Sequence, residues 1–217
     1  MRIRQAAVRL FAEKGFAATG IREIGREVGL NSATLYHYTG GKEELLAGVM
    51  RACMEELLRV GREALEHSAD PAVQLARLVR AHVATQAVNP LTARVTDREV
   101  HALTGTNHTQ VLRLRDDYES MFQQVLERGA RTGQFEITDL RIARLALMEM
   151  CNGVANWYRP EGRLTVSDVQ DRFVELSCRL VGSRSVHREE CEPEAAALHL
   201  DSEPRDHPDD NTMEVSA

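Results

Sequence analysis

Apolar side chains recur at three- and four-residue spacing along most of the chain, which is the spacing of one buried helix face. Similar stripes return as far as Val181 and are separated by glycines, by Asn89-Pro90 and by Pro160. No segment shows the apolar–polar alternation of a half-buried strand. The pattern predicts an all-α protein of about nine helices. The first stripe ends before Gly15, a residue type that often follows a helix, and consists of Ile3, Ala6, Ala7, Leu10 and Phe11.

Two short predicted helices near the amino terminus are joined by a tight turn at residues 28–31. The second of them runs from about Asn31 to Tyr38, with Leu35 pointing inward. This layout is typical of a helix-turn-helix, whose second helix reads base edges in the major groove. Small hydroxyl residues at its start allow a close approach, and aromatic residues at its end can donate to phosphates. Packing inside a small helical domain is the competing interpretation of Tyr36 and Tyr38.

The residues around this motif resemble the DNA-binding domain of the TetR family of bacterial regulators. The resemblance covers nearly all of residues 1–47 and rests on Ala7–Phe16, Thr19, Ile21–Ile24, Gly29–Leu30, Thr34–Tyr38 and Lys42–Leu45. It implies an all-helical homodimer with a three-helix DNA-binding domain at the amino terminus. It also implies a carboxy-terminal domain that supplies a ligand pocket and a dimer interface made mainly by the last two helices. The DNA contacts that it implies are Thr19, Arg22, Asn31, Ser32, Thr34, Tyr36, His37 and Lys42.

Several positions depart from the family pattern. Gly25 stands where alanine is usual, at a cost of about 1 kcal/mol in helix propensity. Thr39 stands where an aromatic residue is expected, and Gly40–Gly41 replaces a polar cap before Lys42. We expect these changes to loosen the junction after the reading helix and to lower DNA affinity without altering the fold. Since the family's basic arm is missing, we expect the natural start to lie upstream of Met1.

Composition and charge divide the chain into three parts. We expect a DNA-binding domain over residues 1–47, a ligand-binding and dimerisation domain over 48–182, and a disordered acidic tail over 183–217. The net charge is −6, yet residues 1–47 hold seven basic and five acidic side chains and are therefore mildly basic. The tail holds ten acidic and three basic side chains and few apolar ones. Such a segment cannot bury enough apolar surface to offset its ordering entropy.

We expect an effector pocket among the helices that span residues 70–160. Methionine and aromatic side chains give an adaptable apolar wall, and the candidates are Met121, Phe122, Met148, Met150, Asn152 and Trp157. Ordinary core packing is the competing explanation for each of them. The stretch Asn156–Thr165 is similar to one in TetR-type repressors of lipid and sterol catabolism that respond to acyl-CoA thioesters. Arg159 and Arg163 could bind phosphates of such a ligand, but interaction with a helix carboxy terminus is the preferred interpretation.

Other classes of function find little support in the sequence. The motifs of serine hydrolases, P-loop proteins and zinc proteases are absent, so we expect neither an enzyme nor a cofactor. No spacing of His or Cys suits a metal, and the four widely spaced cysteines are Cys53, Cys151, Cys178 and Cys191. No stretch reaches the ~20 apolar residues of a membrane span. The amino terminus shows no signal-peptide pattern, so we expect a cytoplasmic protein.

The sequence thus predicts a repressor that binds a palindromic DNA operator as a homodimer and responds to a small apolar or acyl-CoA-type effector. The effector would favour a dimer whose reading helices no longer match successive major grooves about 34 Å apart. An activator, or a DNA-binding regulator without a small ligand, fits the same residues. A helical sequestering or scaffold module that has lost DNA binding is the alternative of another class.

Overall fold

The computed structural model describes residues 2–201, which form α-helices and two short 3-10 turns without a strand. The helices are α1 Arg2–Lys14, α2 Ile21–Glu27, α3 Ser32–Thr39, α4 Lys42–Glu66, α5 Pro71–Val88, α6 Pro90–Arg98, α7 Gly105–Arg131, α8 Leu140–Asn152, α9 Val154–Trp157 and α10 Val166–Leu180. The 3-10 turns are Val100–Ala102 and Arg188–Cys191. The prediction of an all-α fold with about nine helices is confirmed. The additional segment, α9, is a single turn that Gly153 separates from α8.

Helix starts follow local capping signals in the sequence. Asp70 and Asp139 each accept hydrogen bonds from backbone N–H groups in the first turn of α5 and α8. Thr165 and Asp168 form a reciprocal capping box at the start of α10. These side chains satisfy N–H groups that have no partner within the helix, so each helix begins where its cap stands.

Two hydrophobic cores lie one after the other along α4. The smaller core joins α1, α2 and α3 to the first turns of α4, and Phe11, Ile24 and Leu35 are buried in it. Val95 of α6 also contributes to this smaller core. The larger core is formed by the rest of α4 with α5, α7, α8 and α10. Because α4 runs through both cores without a break, it connects the amino-terminal helices rigidly to the larger bundle.

Residues 183–201, which we call the carboxy-terminal strap, lie against the helices instead of forming the predicted disordered tail. The buried side chain of Asn89, between α5 and α6, donates to the carbonyl oxygen of Leu198 at 2.7 Å. The carboxylate of Asp201 accepts hydrogen bonds from backbone N–H groups in the first turn of α6. The prediction is therefore wrong for this part of the tail. Residues 202–217 lie outside the described residues.

Two buried arginines of α5 explain why the strap is ordered despite its polar composition. Arg77 donates to the carbonyl oxygens of Ala64 and Cys191. Arg80 is almost fully buried and forms ion pairs with Glu194 of the strap and Asp171 of α10. A buried guanidinium without partners would be strongly unfavourable. The strap is therefore held by the pairing of buried polar groups, together with apolar contacts of Val186, Cys191 and Leu200 against the larger core. Composition alone cannot show that pairing.

Candidate DNA-binding surface and effector cavity

Glycines shape the turns on either side of α3. The turn at residues 28–31 folds back on α2, and Leu30 N donates to Gly25 O at 2.9 Å. A Cβ atom on Gly25 would lie 2.7 Å from Leu30 O, so this glycine has a local structural reason. After α3, Gly40 and Gly41 adopt φ values of +67° and +126°, which L side chains rarely adopt. The three glycines that depart from the family pattern are thus required by the backbone path around α3.

The surface of α3 is mostly open to solvent. Leu35 alone among its residues is buried, and it anchors the helix against the smaller core. Tyr36 is 52% exposed and His37 is exposed beside it. Ser32 and Thr34 are partly exposed on the first turn. The exposed face of α3 therefore presents small hydroxyl side chains followed by a tyrosine and a histidine, and core packing does not explain Tyr36.

Asn31 and Arg22 stand beside this face in different roles. The Oδ1 atom of Asn31 accepts from Thr34 N at 2.9 Å, so Asn31 caps α3 and fixes its first turn. Arg22, in the first turn of α2, is exposed and makes no hydrogen bond or ion pair with the residues 2–201. Its guanidinium is free to bind a phosphate. By contrast, the ion pairs Arg9–Glu27 and Lys14–Glu23 link α1 to α2.

Two of the predicted DNA contacts turn inward. Thr19 is 1% exposed, and its hydroxyl donates to the carbonyl oxygens of Gly15 and Leu10 at 2.8 and 3.3 Å. The prediction that the Thr19 side chain contacts DNA is therefore corrected, because this hydroxyl closes the loop between α1 and α2. Lys42 Nζ donates to Phe16 O at 2.8 Å and to Thr19 O at 3.0 Å, and lies 4.1 Å from the centre of the Phe16 ring. These contacts fasten the start of α4 to the same loop.

A cavity of about 370 Å³ lies between α4, α5, α6, α7 and α8. Its volume falls within the range of small-molecule sites, which runs from about 300 to 1,000 Å³. One part of its wall is largely apolar and is made by Cys53, Met54, Leu57, Leu145 and Met148. The charged lining residues are Asp97, Arg98, Arg115, Glu119 and Glu149. Desolvation raises the pKa of Asp97 to about 6, against the opposing effect of Arg115.

A buried polar cluster forms another part of the wall. His82 of α5 is fully buried, and its Nδ1 lies 3.0 Å from the hydroxyl of Tyr118 on α7. Its Nε2 lies 2.9 Å from Asn152 Oδ1 and 3.1 Å from Gln86 Nε2. Burial lowers the pKa of His82 to about 4 and raises the pKa of Tyr118 well above its usual value. Both rings are therefore uncharged near neutral pH.

The structure brings two of the six predicted pocket residues, Met148 and Asn152, to this cavity. The other four lie outside its lining, and they are Met121, Phe122, Met150 and Trp157. Phe122 is fully buried, with its ring centre 6.3 Å from that of His82, so core packing explains it. Met121 and Met150 are partly buried against the larger core, and Trp157 is half exposed.

Most of the polar cluster was not predicted from the sequence. His82 and Gln86 are four residues apart on a largely buried helix, which places them on one face. That pair of polar residues within an apolar stripe was the available signal. Tyr118 and Asn152 belong to α7 and α8, and nothing in the local sequence indicates that they meet His82.

Two helices that line the cavity also touch the amino-terminal helices. α4 carries Lys42 at its start and Leu57 at the cavity. α6 lines the cavity at Asp97 and packs against α1. Directly after α6, Glu99 Oε1 accepts a hydrogen bond from Phe16 N at 3.2 Å, in the loop that Lys42 also fastens. A shift of either wall would therefore reach the frame that holds α3.

An apolar patch lies on the outer surface of α8 and α10. It consists of Ile142 and Leu145 on α8 with Leu176 and Leu180 on α10, and Ile142 is 60% exposed. The spacings of three and four residues place each pair on one helix face. Exposed large apolar side chains that share one helix face are candidates for contact with a protein partner.

The remaining predicted features are structural. Arg159 donates to Tyr158 O at 2.7 Å directly after α9, so this arginine lies at the helix terminus. Burial raises the pKa of both Cys53 and Cys151 to about 12, so these thiols stay protonated. Within residues 2–201, no three His, Cys, Asp or Glu side chains are placed to share a metal ion. Over the same range, no helix has the length and apolarity needed to cross a membrane.

Two family models and a known repressor match most of this chain. The family model described as "Bacterial regulatory proteins, tetR family" matches residues 3–49. The model described as "Tetracyclin repressor-like, C-terminal domain" matches residues 68–181. The HTH-type transcriptional repressor KstR2 of Rhodococcus jostii is 30% identical over 183 residues, which cover 83% of this chain and 89% of that protein.

Solved structures show the same architecture. A regulatory protein in the tetR family from Rhodococcus RHA1 has a TM-score of 0.79 at 28% identity, covering 84% of this chain and 96% of its own. AibR in complex with isovaleryl coenzyme A and operator DNA has a TM-score of 0.71 at 21% identity, covering 80% of this chain and 95% of its own. At that identity, the likeness to AibR shows the fold alone.

Proposed function

Since the chain belongs to the TetR family of bacterial regulatory proteins, we propose that it is a repressor which leaves its operator when a small molecule enters the cavity. It would act in the cytoplasm, where the bacterial chromosome lies. One observation carries this proposal. The exposed face of α3 stands on a helix-turn-helix frame, and α4 runs without a break from that frame to the cavity wall.

The exposed face of α3 is the reading surface. Tyr36 and His37 have side chains long enough to reach base edges or phosphates, while Ser32 and Thr34 permit a close approach of the first turn. Arg22 supplies a phosphate contact from α2, because no residue within 2–201 neutralises it. Phosphate contacts fix the position of the protein on the duplex, and base contacts supply the specificity.

We further propose a homodimer through the apolar patch on α8 and α10. A two-fold axis places the same patch of both subunits face to face, so Ile142 and Leu176 would be covered by a second copy of the chain. Such a dimer presents two copies of α3 to a palindromic operator whose half-sites lie about 34 Å apart. Because Leu145 lies both on the patch and in the cavity wall, the cavity adjoins the subunit interface.

The effector that we propose is an acyl-CoA thioester. The resemblance of Asn156–Thr165 to repressors that respond to acyl-CoA thioesters supports this choice. A protein of the same fold, AibR, has been solved in complex with isovaleryl coenzyme A, so the fold can accommodate such a ligand. A cavity of about 370 Å³ suits the acyl group, and the larger coenzyme part would remain outside. Binding would shift α4 and α6 and so favour a dimer whose reading helices no longer fit the operator.

Fluorescence anisotropy with the DNA upstream of the protein's own gene tests the proposal. We expect sequence-specific, salt-sensitive binding that is weakened in Arg22→Ala and Tyr36→Ala. Arg131→Ala, an exposed arginine at the end of α7, removes the same charge as Arg22→Ala and serves as the matched control. If Arg22→Ala and Tyr36→Ala both bound the DNA as tightly as the wild type, the assignment of the reading surface would be contradicted.

The effector and the direction of regulation need separate measurements. A panel of CoA thioesters is added to the bound complex, and we expect at least one of them to release the DNA. Run-off transcription from the same promoter then distinguishes a repressor, which lowers the transcript, from an activator, which raises it. Specific DNA binding that no thioester alters would favour a regulator with another ligand or none.

A further inference from the structure

Within the cavity, two side-chain amides compete for one ring nitrogen. Asn152 Oδ1 and Gln86 Nε2 lie 2.9 and 3.1 Å from Nε2 of His82. The other ring nitrogen already faces the hydroxyl of Tyr118 at 3.0 Å. One imidazole nitrogen offers either a single N–H or a single lone pair. The cluster therefore holds one more amide than its histidine can pair.

The position of the protons decides which amide is left over. Tyr118 stays protonated and can donate to Nδ1 of the neutral His82, which places the ring proton on Nε2. That N–H donates to Asn152 Oδ1, and Gln86 Nε2 then has only a weak contact of 3.5 Å with the same oxygen. In the opposite tautomer, both amides would need the one lone pair of Nε2.

Gln86 is the amide with unused capacity. It is 2% exposed, lines the cavity, and its Oε1 has no hydrogen-bond partner among the described residues. Turning the amide end for end would leave its NH₂ group with the unmet capacity instead. A purely apolar ligand in the cavity would leave this amide unpaired, whereas a polar ligand group could pair with it.

We propose that Gln86 is the specificity-determining residue of the cavity, and that the effector places an uncharged hydroxyl or carbonyl group against its amide. This inference rests on the proposed role of the cavity as the effector site. A carboxylate is disfavoured at this position, because the cluster around His82 supplies no positive charge to a desolvated anion. The charged part of the lining does not favour an anion either, since it holds three carboxylates against two arginines, and Arg115 is already paired with Asp97. The preferred effector is therefore an oxygenated molecule and not a saturated hydrocarbon chain.

Phenol and toluene provide a test that does not depend on the identity of the natural effector. The two molecules have nearly the same shape and differ by a hydroxyl in place of a methyl group. Their dissociation constants are measured by ligand-observed NMR titration of the full chain, for wild type and Gln86→Leu. Gln124→Leu makes the same substitution at an exposed position on α7 and is the matched control.

We expect Gln86→Leu to raise the ratio of the phenol dissociation constant to the toluene dissociation constant about tenfold. This change corresponds to the loss of one buried hydrogen bond to phenol. The ratio should be unchanged in Gln124→Leu. Gln86→Met is the second variant if Gln86→Leu does not fold. In the wild type, phenol should shift the side-chain N–H resonances of Gln86 more than toluene does, which tests the contact without any substitution.

An unchanged ratio in the folded Gln86 variants, or equal shifts of the Gln86 resonances by both probes, would overturn the inference. Failure of both probes to bind the wild type would overturn it as well. These outcomes are distinct from failure of the proposed function. If the protein does not bind the operator or does not respond to a thioester, the phenol–toluene comparison can still be made. If that comparison shows no effect of Gln86, the proposal that α3 binds DNA is unaffected.

Discussion

Replacing Lys42 tests whether its side chain contacts DNA or instead positions the DNA-binding domain. The substitution Lys42→Met removes the ammonium group and keeps most of the aliphatic stem. It removes two hydrogen bonds, of 2.8 and 3.0 Å, to the carbonyl oxygens of Phe16 and Thr19, together with the contact to the Phe16 ring. We therefore expect the substitution to destabilise the protein whether or not DNA is present.

The magnitude follows from these contacts. A hydrogen bond to a charged group contributes about 1.5–3 kcal/mol, and a cation–π contact near the surface about 0.5–1 kcal/mol. Lys42 is partly exposed, so solvent screening brings each contribution below the lower end of its range. We expect Lys42→Met to lower the free energy of unfolding by about 2–3 kcal/mol. For a chain of this size that is a fall in Tm of roughly 5–10 °C.

Two assays separate the alternatives. Chemical denaturation gives the stability, and anisotropy at several salt concentrations gives the slope of log K against log salt. Loss of a phosphate contact lowers that slope by about 0.9 per contact, as we expect for Arg22→Ala. For Lys42→Met we expect weaker operator binding with an unchanged slope. A reduced slope with wild-type stability would refute the reasoning and restore Lys42 as a phosphate ligand.

The remaining predictions concern the strap, the buried histidine and the dimer patch. Asn89→Ala should lower the free energy of unfolding by about 2–4 kcal/mol, because it leaves strap backbone groups unpaired; a loss under about 0.5 kcal/mol in urea denaturation would show that the strap is not held there. His82 has a folded-state pKa of about 4 and an ordinary value of 6.5, so the unfolded chain binds more protons between these values. The contribution of His82 to stability is therefore full above about pH 6.5 and falls by about 2 kcal/mol between pH 7 and pH 5. The raised pKa of Asp97 gives a contribution of the opposite sign over the same range. His82→Gln should remove that fall in denaturation curves, and an unaltered pH dependence would contradict the assignment. Leu176→Asp should give a monomer in light scattering with weak operator binding, whereas a dimer of wild-type affinity would exclude the α8–α10 interface.

The helices and the helix-turn-helix could be predicted because their signals are local. The turn after α2 and the polar residues around Leu35 follow each other directly in the sequence. The direction of individual side chains could not be predicted in the same way. Threonine is a residue type that suits DNA contact, yet the fold places the hydroxyl of Thr19 against the carbonyl oxygens of Gly15 and Leu10.

The strap shows why composition led to the wrong prediction of disorder for residues 183–201. Acidic residues with few apolar neighbours usually remain solvated. Here Glu194 meets the buried Arg80, and Asp201 meets the free N–H groups at the start of α6. The available signal lay elsewhere in the sequence, in two arginines within the apolar α5 that required distant partners.

The cavity is the part of the site that depends most on tertiary structure. Its polar cluster joins α5, α7 and α8, and the sequence separations from His82 to Tyr118 and to Asn152 are 36 and 70 residues. Met148 and Asn152 were predicted because they lie within the helices of residues 70–160, and methionine gives an adaptable apolar wall. Methionine alone does not distinguish a cavity wall from core packing, as Met121 and Met150 show.

DNA reading by α3 can be measured with a nuclease footprint of the wild type and Tyr36→Ala on the DNA upstream of the gene. We expect two protected half-sites centred about one helical turn or a multiple of it apart, and a loss of both in the variant. Protection that survives Tyr36→Ala unchanged at the same protein concentration, or an upstream region that is never protected, would contradict this expectation.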